Sequence, residues 1–214
     1  MRIEDWAAAR QRMVERQILS RGVADRRVLD ALSAVERHRF VPVDVRDLAY
    51  TDQPLPIGDG QTISQPYIVA LMTELLDPQP GDTLLEIGTG SGYQAAVLSS
   101  LVAQVYSIEI LEPLAEEARA RLEELGYRNV TVRCADGYRG WPEHAPFDGI
   151  VVTAAPPSVP QPLLEQLAVG GRMVVPVGDA FQELQVIVRE DSGFTVRRSI
   201  AVRFVPMVGE AQQG

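Results

Sequence analysis

The stretch LLEIGTGSGYQAAVL, residues 84–98, runs an apolar segment into Gly88, Gly90 and Gly92 and then returns to an apolar helical pattern. Glycines at a strand-to-helix turn let a ligand approach the backbone closely, because no Cβ stands in the way. Two acids follow at the ends of the next apolar segments. Glu109 closes VYSIE nineteen residues after Gly90, where a carboxylate can accept hydrogen bonds from both hydroxyls of a ribose. Asp136 follows VRCA, where it can accept from an adenine amino group. Each acid also has a plainer reading: Glu109 as an acid balancing a helix dipole, Asp136 before Gly137 as a turn residue. Three such features at successive strand ends together favour an adenosine-bearing ligand.

The glycine spacing and the charge pattern narrow that ligand. A dinucleotide fingerprint requires GxGxxG, but Tyr93 follows Gly92, so the run is GxGxG. Between Asp47 and Ala118 the chain has eleven acids and no basic side chain. S-adenosylmethionine, whose sulfonium is cationic, therefore fits better than NAD. Glu86, inside the apolar strand, is expected to accept from the turn amides or to help balance that cation.

All 20 basic residues are arginine, which removes Schiff-base lysine chemistry and the P-loop lysine. The net charge of -9 and the acidic 47–118 stretch oppose a nucleic-acid groove. The first 39 residues hold nine Arg against six acids, which reads as a solvated helical arm. A single cysteine, Cys134, and two separated histidines, His38 and His144, argue against a disulfide framework and a metal cluster. No apolar run is long enough to span a membrane, and the first 17 residues are too charged for a signal peptide. A cytoplasmic protein that does not engage membranes, and a monomer, is the resulting expectation.

The elements that must position these residues follow from hydrophobic periodicity. Two helices over 4–20 and 25–36 open the chain. Prolines and glycines from Phe40 to Pro66 predict a long loop without regular structure, and a loop of that length is usually functional. Strands are predicted near 83–87, 104–108, 130–134, 149–153, 172–177, 184–189 and 196–202, with helices near 66–76, 91–101, 113–125 and 160–168. Such alternation gives a doubly wound α/β fold: a mainly parallel seven-stranded sheet with an N-terminal helical extension and a C-terminal antiparallel edge hairpin. The whole chain, 1–214, reads as one domain, with 1–66 packed as helices and active-site loop on a Rossmann-like core over 67–214.

LEIGTGSGYQAAVLSSL, DQPLPIGDGQTISQPYIVALMTELL, DGYRGWPEHAPFDGIVVTAAP and FVPVDVRDLAY together resemble the bacterial protein-L-isoaspartate O-methyltransferases, from about Met13 to VRFVPM near the end. GQTISQP is far more specific than the glycine turn, which related methyltransferases share. The resemblance implies methyl transfer from S-adenosylmethionine to the α-carboxylate of L-isoaspartyl, and less readily D-aspartyl, residues in damaged proteins and peptides. The resulting ester closes to a succinimide, which begins repair. It also implies Ser64 as the active-site residue, and cofactor contacts from Thr62, Ile63, Ser64, Gly88, Thr89, Gly90, Glu109, Ile110, Asp136 and Gly137. The chain departs from the family pattern in reading VERH for VPRH and ADGY for GDGY.

A carboxylate nucleophile with a pKa near about 4 is ionised at neutral pH and needs no general base. By its position alone Ser64, before Gln65-Pro66 and a helical run, reads as a helix cap, and Ile63 as a core anchor. Other residues take plain readings: His38 and Phe40 fix the end of the second helix, Trp141 packs beside Pro142, and Cys134 is a small core residue. Gln182 is a candidate to reach cofactor or substrate from the far side. The competing functions are a methyltransferase for a small carboxylic acid or other nucleophile, an NAD-dependent oxidoreductase, and a non-catalytic nucleotide-binding module.

Overall fold

A computed structural model describes residues 6–212. Its centre is a seven-stranded sheet of order β5-β4-β3-β6-β7-β8-β9, formed by β3 (Thr83–Ile87), β4 (Gln104–Glu109), β5 (Val130–Cys134), β6 (Phe147–Val152), β7 (Leu167–Val177), β8 (Gln182–Glu190) and β9 (Gly193–Val202). The first five are parallel, and β7-β8-β9 pair antiparallel. Strand order reverses at β3, flanked by β4 and β6, so the glycine turn leaves the sheet where a crevice must open.

The core lies on both faces of the sheet because neighbouring strand residues point oppositely. Leu84, Val105, Val132, Val151 and Val174 belong to one apolar cluster, whereas Leu85, Ile87, Ile108, Ile150 and Met173 belong to the other. Burial on both faces explains why TLLEI reads as a continuous apolar run. The connecting helices are α3 (Pro66–Leu76), α4 (Tyr93–Ser99), α5 (Glu112–Glu124) and α6 (Gln161–Glu165). The last is shorter than expected, because β7 already begins at Leu167.

At the N-terminus, α1 (Trp6–Met13) and α2 (Arg26–Ala34) form, and residues 4 and 5 of the expected first helix lie outside the described residues. That helix is not continuous. It widens into a π segment at Val14–Ile18 and tightens to a 3-10 turn at Leu19–Arg21, ending at Gly22 in the left-handed region. Met13, Val14 and Ile18 are thereby turned into the core.

The arm is less solvated than its charge suggests. Arg37 is fully buried, donates from Nε to the Ala49 carbonyl at 2.7 Å, and lies 4.9 Å over the Tyr93 ring. Phe40 meets Tyr93 edge-on at 5.5 Å, and His38 stacks on Trp6 and reaches the Tyr50 hydroxyl at 2.8 Å. These residues fasten the arm to α4 and α1 and do not close α2, which has already ended at Ala34.

The expectation of an irregular 40–66 loop fails at Val43–Leu48, which form a 3-10 helix, and again in its second half. Leu55–Gly58 (β1) and Gln61–Ile63 (β2) form an antiparallel hairpin, with Leu55 opposite Ile63 and both buried. Pro56 does not prevent it, since a two-stranded ribbon leaves each strand an edge without ladder bonds.

Candidate active site

At the carboxyl end of β3, Gly88 takes φ 95°, and a Cβ there would overlap the Thr153 hydroxyl. Thr153, just beyond β6, donates to the carbonyls of Ile87 and Gly88 at 3.0 and 2.7 Å. The close approach that glycine permits is thus used by the protein itself as well as offered to a ligand. Thr89, next in the turn, is buried and bonds the Ser107 hydroxyl at 2.6 Å, and Ser107 donates to Glu86. Glu86 is fully buried, and desolvation pushes its carboxyl up to about 8 despite the bond from Ser107. It is therefore mostly neutral at pH 7, and neither accepts from the Gly88–Gly92 amides nor balances a cation as a full charge.

Glu109 ends β4. Its Oε2 accepts from Gly90 N–H at 2.8 Å, and its Oε1 from Ile110 and Leu111 N–H at 2.9 and 3.1 Å. The carboxylate ties the turn to the next crossover and keeps free lone pairs for a ligand, since an ionised carboxylate accepts at about four sites. Asp136 differs. Its oxygens accept from Tyr138 and Glu210 N–H at 2.9 and 2.8 Å, and it caps the 3-10 turn at Gly137–Arg139. Gly137 lines the cavity beside Glu109; Asp136 does not.

Three adjoining cavities follow from this framework. One runs along the ends of β3 and β4 past Gly88, Gly90, Glu109, Ile110 and Gly137. A second, smaller one lies between Ile63, Ser64, Thr89 and Gln94. An outer groove of about 740 Å³ opens between Pro54, Ser64, Gln65 and the 201–206 segment. Thr62 and Thr153 line all three, and Ser64 lines the groove and the second cavity. Every residue of the expected site except Asp136 therefore faces one of these spaces.

Ser64 is not a helix cap. The N-cap of α3 is Gln65, no side chain caps it, and Pro66 starts the helix without an amide proton to satisfy. Ile63 is buried, as a core anchor would be, and also lines the second cavity. Cys134 is exposed, correcting the expectation of a core residue: it shares the pleat phase of buried Val132 but is the last residue of β5, the edge strand of the sheet. His144 stacks at 3.9 Å on Tyr106, Trp141 stands edge-on to the same ring, and neither histidine lines a cavity.

Two contributors escape a reading of the sequence. Thr153 had a signal in VVTAAP, a polar residue at the end of a buried strand. The 201–208 strip had only the resemblance that reaches VRFVPM, which assigns it no role: Val205 to Val208 wall the first cavity and Ala201 to Pro206 the groove. Gln182 holds this strip by donating to the Phe204 carbonyl at 3.1 Å and accepting from its N–H at 2.6 Å. It acts through the strip and does not itself reach into the site.

No arginine lines either inner cavity, so a phosphate would meet no cation there, whereas a sulfonium meets Glu109 and uncharged hydroxyls. The residues fit S-adenosylmethionine. Among the described residues no group of three His, Cys, Asp or Glu could hold a metal ion, and no helix is long and apolar enough to cross a membrane.

Comparison with known proteins agrees with this geometry. The model of the protein-L-isoaspartate(D-aspartate) O-methyltransferase family matches residues 8–212. A protein-L-isoaspartate O-methyltransferase of Synechococcus sp. (strain JA-2-3B'a(2-13)) is 56% identical over 213 residues, covering 96% of this chain and 87% of its own. Protein-L-isoaspartate O-methyltransferase 1 of Syntrophobacter fumaroxidans is 57% identical over 207 residues, 96% of this chain and 97% of its own. A solved protein-L-isoaspartate O-methyltransferase superposes with a TM-score of 0.86 at 31% identity, covering 94% of this chain and 67% of its own. A Plasmodium falciparum protein solved in complex with S-adenosyl-L-homocysteine shares the fold, with a TM-score of 0.81 at 24% identity over 93% of this chain and 98% of its own.

Proposed function

The chain belongs to the protein-L-isoaspartate(D-aspartate) O-methyltransferase family, and we propose that its three joined cavities divide the family's reaction between them. The protein is an S-adenosylmethionine-dependent methyltransferase acting on the α-carboxylate of isoaspartyl residues in damaged proteins and peptides. The observation that carries the division is that Thr62 and Thr153 line all three spaces and Ser64 joins the groove to the second cavity.

When bound, S-adenosylmethionine supplies an electrophilic methyl carbon on a sulfonium sulfur that departs as a neutral thioether. Gly88, Gly90 and Ile110 shape its cavity, and the lone pairs that Glu109 keeps free accept from the ribose hydroxyls. Asp136, which faces none of the three spaces, contributes by capping the 137–139 turn that sets Gly137 at the cavity wall. Thr62, Ile63 and Thr89 close the inner end. In the groove, Ser64 would donate from Oγ to one oxygen of the isoaspartyl carboxylate and so hold the group in position for transfer. The nucleophile arrives ionised, so what these residues contribute is position, worth up to about 7 to 11 kcal/mol in favourable cases.

The one cysteine, exposed and unpaired, supports a reducing compartment, the cytoplasm. The division of roles is tested by incubating the protein with methyl-labelled S-adenosylmethionine and a peptide in its aspartyl and isoaspartyl forms. Label is expected in the isoaspartyl peptide alone, as a base-labile ester. Equal labelling of both, or labelling of small free acids in preference, overturns the reading of the groove.

A further inference from the structure

The outer groove holds one formal charge. Of its lining residues only Arg203 is ionisable, amid prolines, hydroxyls, amides and apolar side chains. Several other arginines are engaged: Arg198 pairs with Glu183, Arg172 with Asp77 and Arg139 with Glu210, and Arg189 donates to the carbonyls of Glu165 and Leu167. Arg203 is exposed, and among the described residues it forms no ion pair and no side-chain hydrogen bond.

Its backbone is held from both sides. Gln182 makes two hydrogen bonds to Phe204, and the next residues bridge to the end of β6, with Ala155 N–H donating to Val205 and Met207 N–H to Ala155, both at 2.8 Å. The cation thus stands on a fixed root at the groove wall. It lines the groove alone, while Thr62, Ser64 and Thr153 also line the inner cavities. A peptide whose isoaspartyl carboxylate reaches Ser64 would meet Arg203 with a neighbouring residue and not with the reacting group.

The protein carries a net charge of -9, so acidic stretches of substrate are repelled at long range. Resting on the functional reading above, we propose that Arg203 is a specificity-determining residue that favours isoaspartyl sites flanked by an acidic side chain. The contact is a solvent-facing ion pair, strong enough to sort substrates and weak enough to release them.

The test uses isoaspartyl peptides differing only in Glu, Gln or Lys directly before or directly after the damaged residue. In the unaltered protein at low salt, kcat/KM for the Glu peptide is expected to exceed that for the Lys peptide by about fivefold at one of the two positions, carried in KM. Arg203→Gln brings that ratio toward one, Arg203→Glu inverts it, and Arg203→Lys retains it. Because the ratio is taken within one protein, a change in overall rate does not enter it, and cofactor binding by calorimetry verifies that each variant is folded. A ratio of one at both positions, or a ratio that survives Arg203→Gln, overturns the proposal while isoaspartyl methylation stands. Failure of the unaltered protein to methylate any of the peptides overturns the functional reading itself, and the proposal with it.

Discussion

The glycine turn and the 201–208 strip wall the same cavity, and they do so by different means. In the turn, function follows from residue type: Gly88 adopts φ 95° against Thr153, a conformation and a contact that side chains disfavour. In the strip, Val205 to Val208 are ordinary residues whose value comes from where Gln182 and Ala155 hold their backbone. A local device announces itself by composition. A wall built from backbone pairing across more than 20 residues of chain does not.

The comparison breaks most severely at the turn. Gly88→Ala is expected to cost at least about 1 to 3 kcal/mol of stability from backbone strain alone. Displacing Thr153 and the turn should lower methyl transfer roughly 10²-fold or more. Denaturant melts and single-turnover rates measure both effects. Activity near that of the unaltered protein would show that the turn yields easily and that its glycine is not what shapes the cavity.

Ser64, between the two regions, comes next. Ser64→Ala should lower turnover about 10²-fold, with cofactor affinity and stability nearly intact, because no cap bond is lost. A drop in melting temperature with full turnover would return Ser64 to a structural role.

The strip is probed through the residue that holds it. Gln182→Ala removes both bonds to Phe204, and each is worth about 0.5 to 1.5 kcal/mol net. Since the strip walls cavity and groove alike, KM for cofactor and for peptide should rise together, several-fold, with kcat largely retained. A rise in only one of them would show that the strip is not a shared wall.

The smallest effect on activity belongs to Glu86, behind the turn. Its carboxyl, held up to about 8 in the folded protein against an ordinary 4.5, stays protonated, so the folded state binds more protons than the unfolded one between these values. That stabilisation is complete below pH 4.5 and is lost as pH rises toward 8. Glu86→Gln should flatten the profile, leaving the variant more stable than the unaltered protein near pH 8.5 while turnover hardly changes. Thermal melts across the pH range check the slope.

Much of the sheet was legible, since TLLEI, QVYSIE and FDGIVV are apolar enough to demand burial on two faces and alternate with helical periods. The β1–β2 hairpin was hidden by prolines and glycines that normally signal irregular chain, yet Leu55 and Ile63 hold it through tertiary burial. Cys134 has the pleat phase of buried Val132 and so reads as core, yet it is exposed because it ends β5, and that β5 is the edge strand is decided by the strand order of the folded sheet. Asp136 was recognised as important, but its two backbone partners include Glu210, 74 residues away.

Sequence by itself determined the parallel sheet, the position of the glycine turn, the ionised character of the chemistry and, through GQTISQP, the family. These depend on local conformational limits and on hydrophobic period, which act over a few residues. Only the tertiary structure decided that Thr153 locks the turn, that Glu86 is neutral, and that residues 201–208 close the site. Each of those depends on the groups that long-range strand pairing brings within hydrogen-bond reach or shuts away from water.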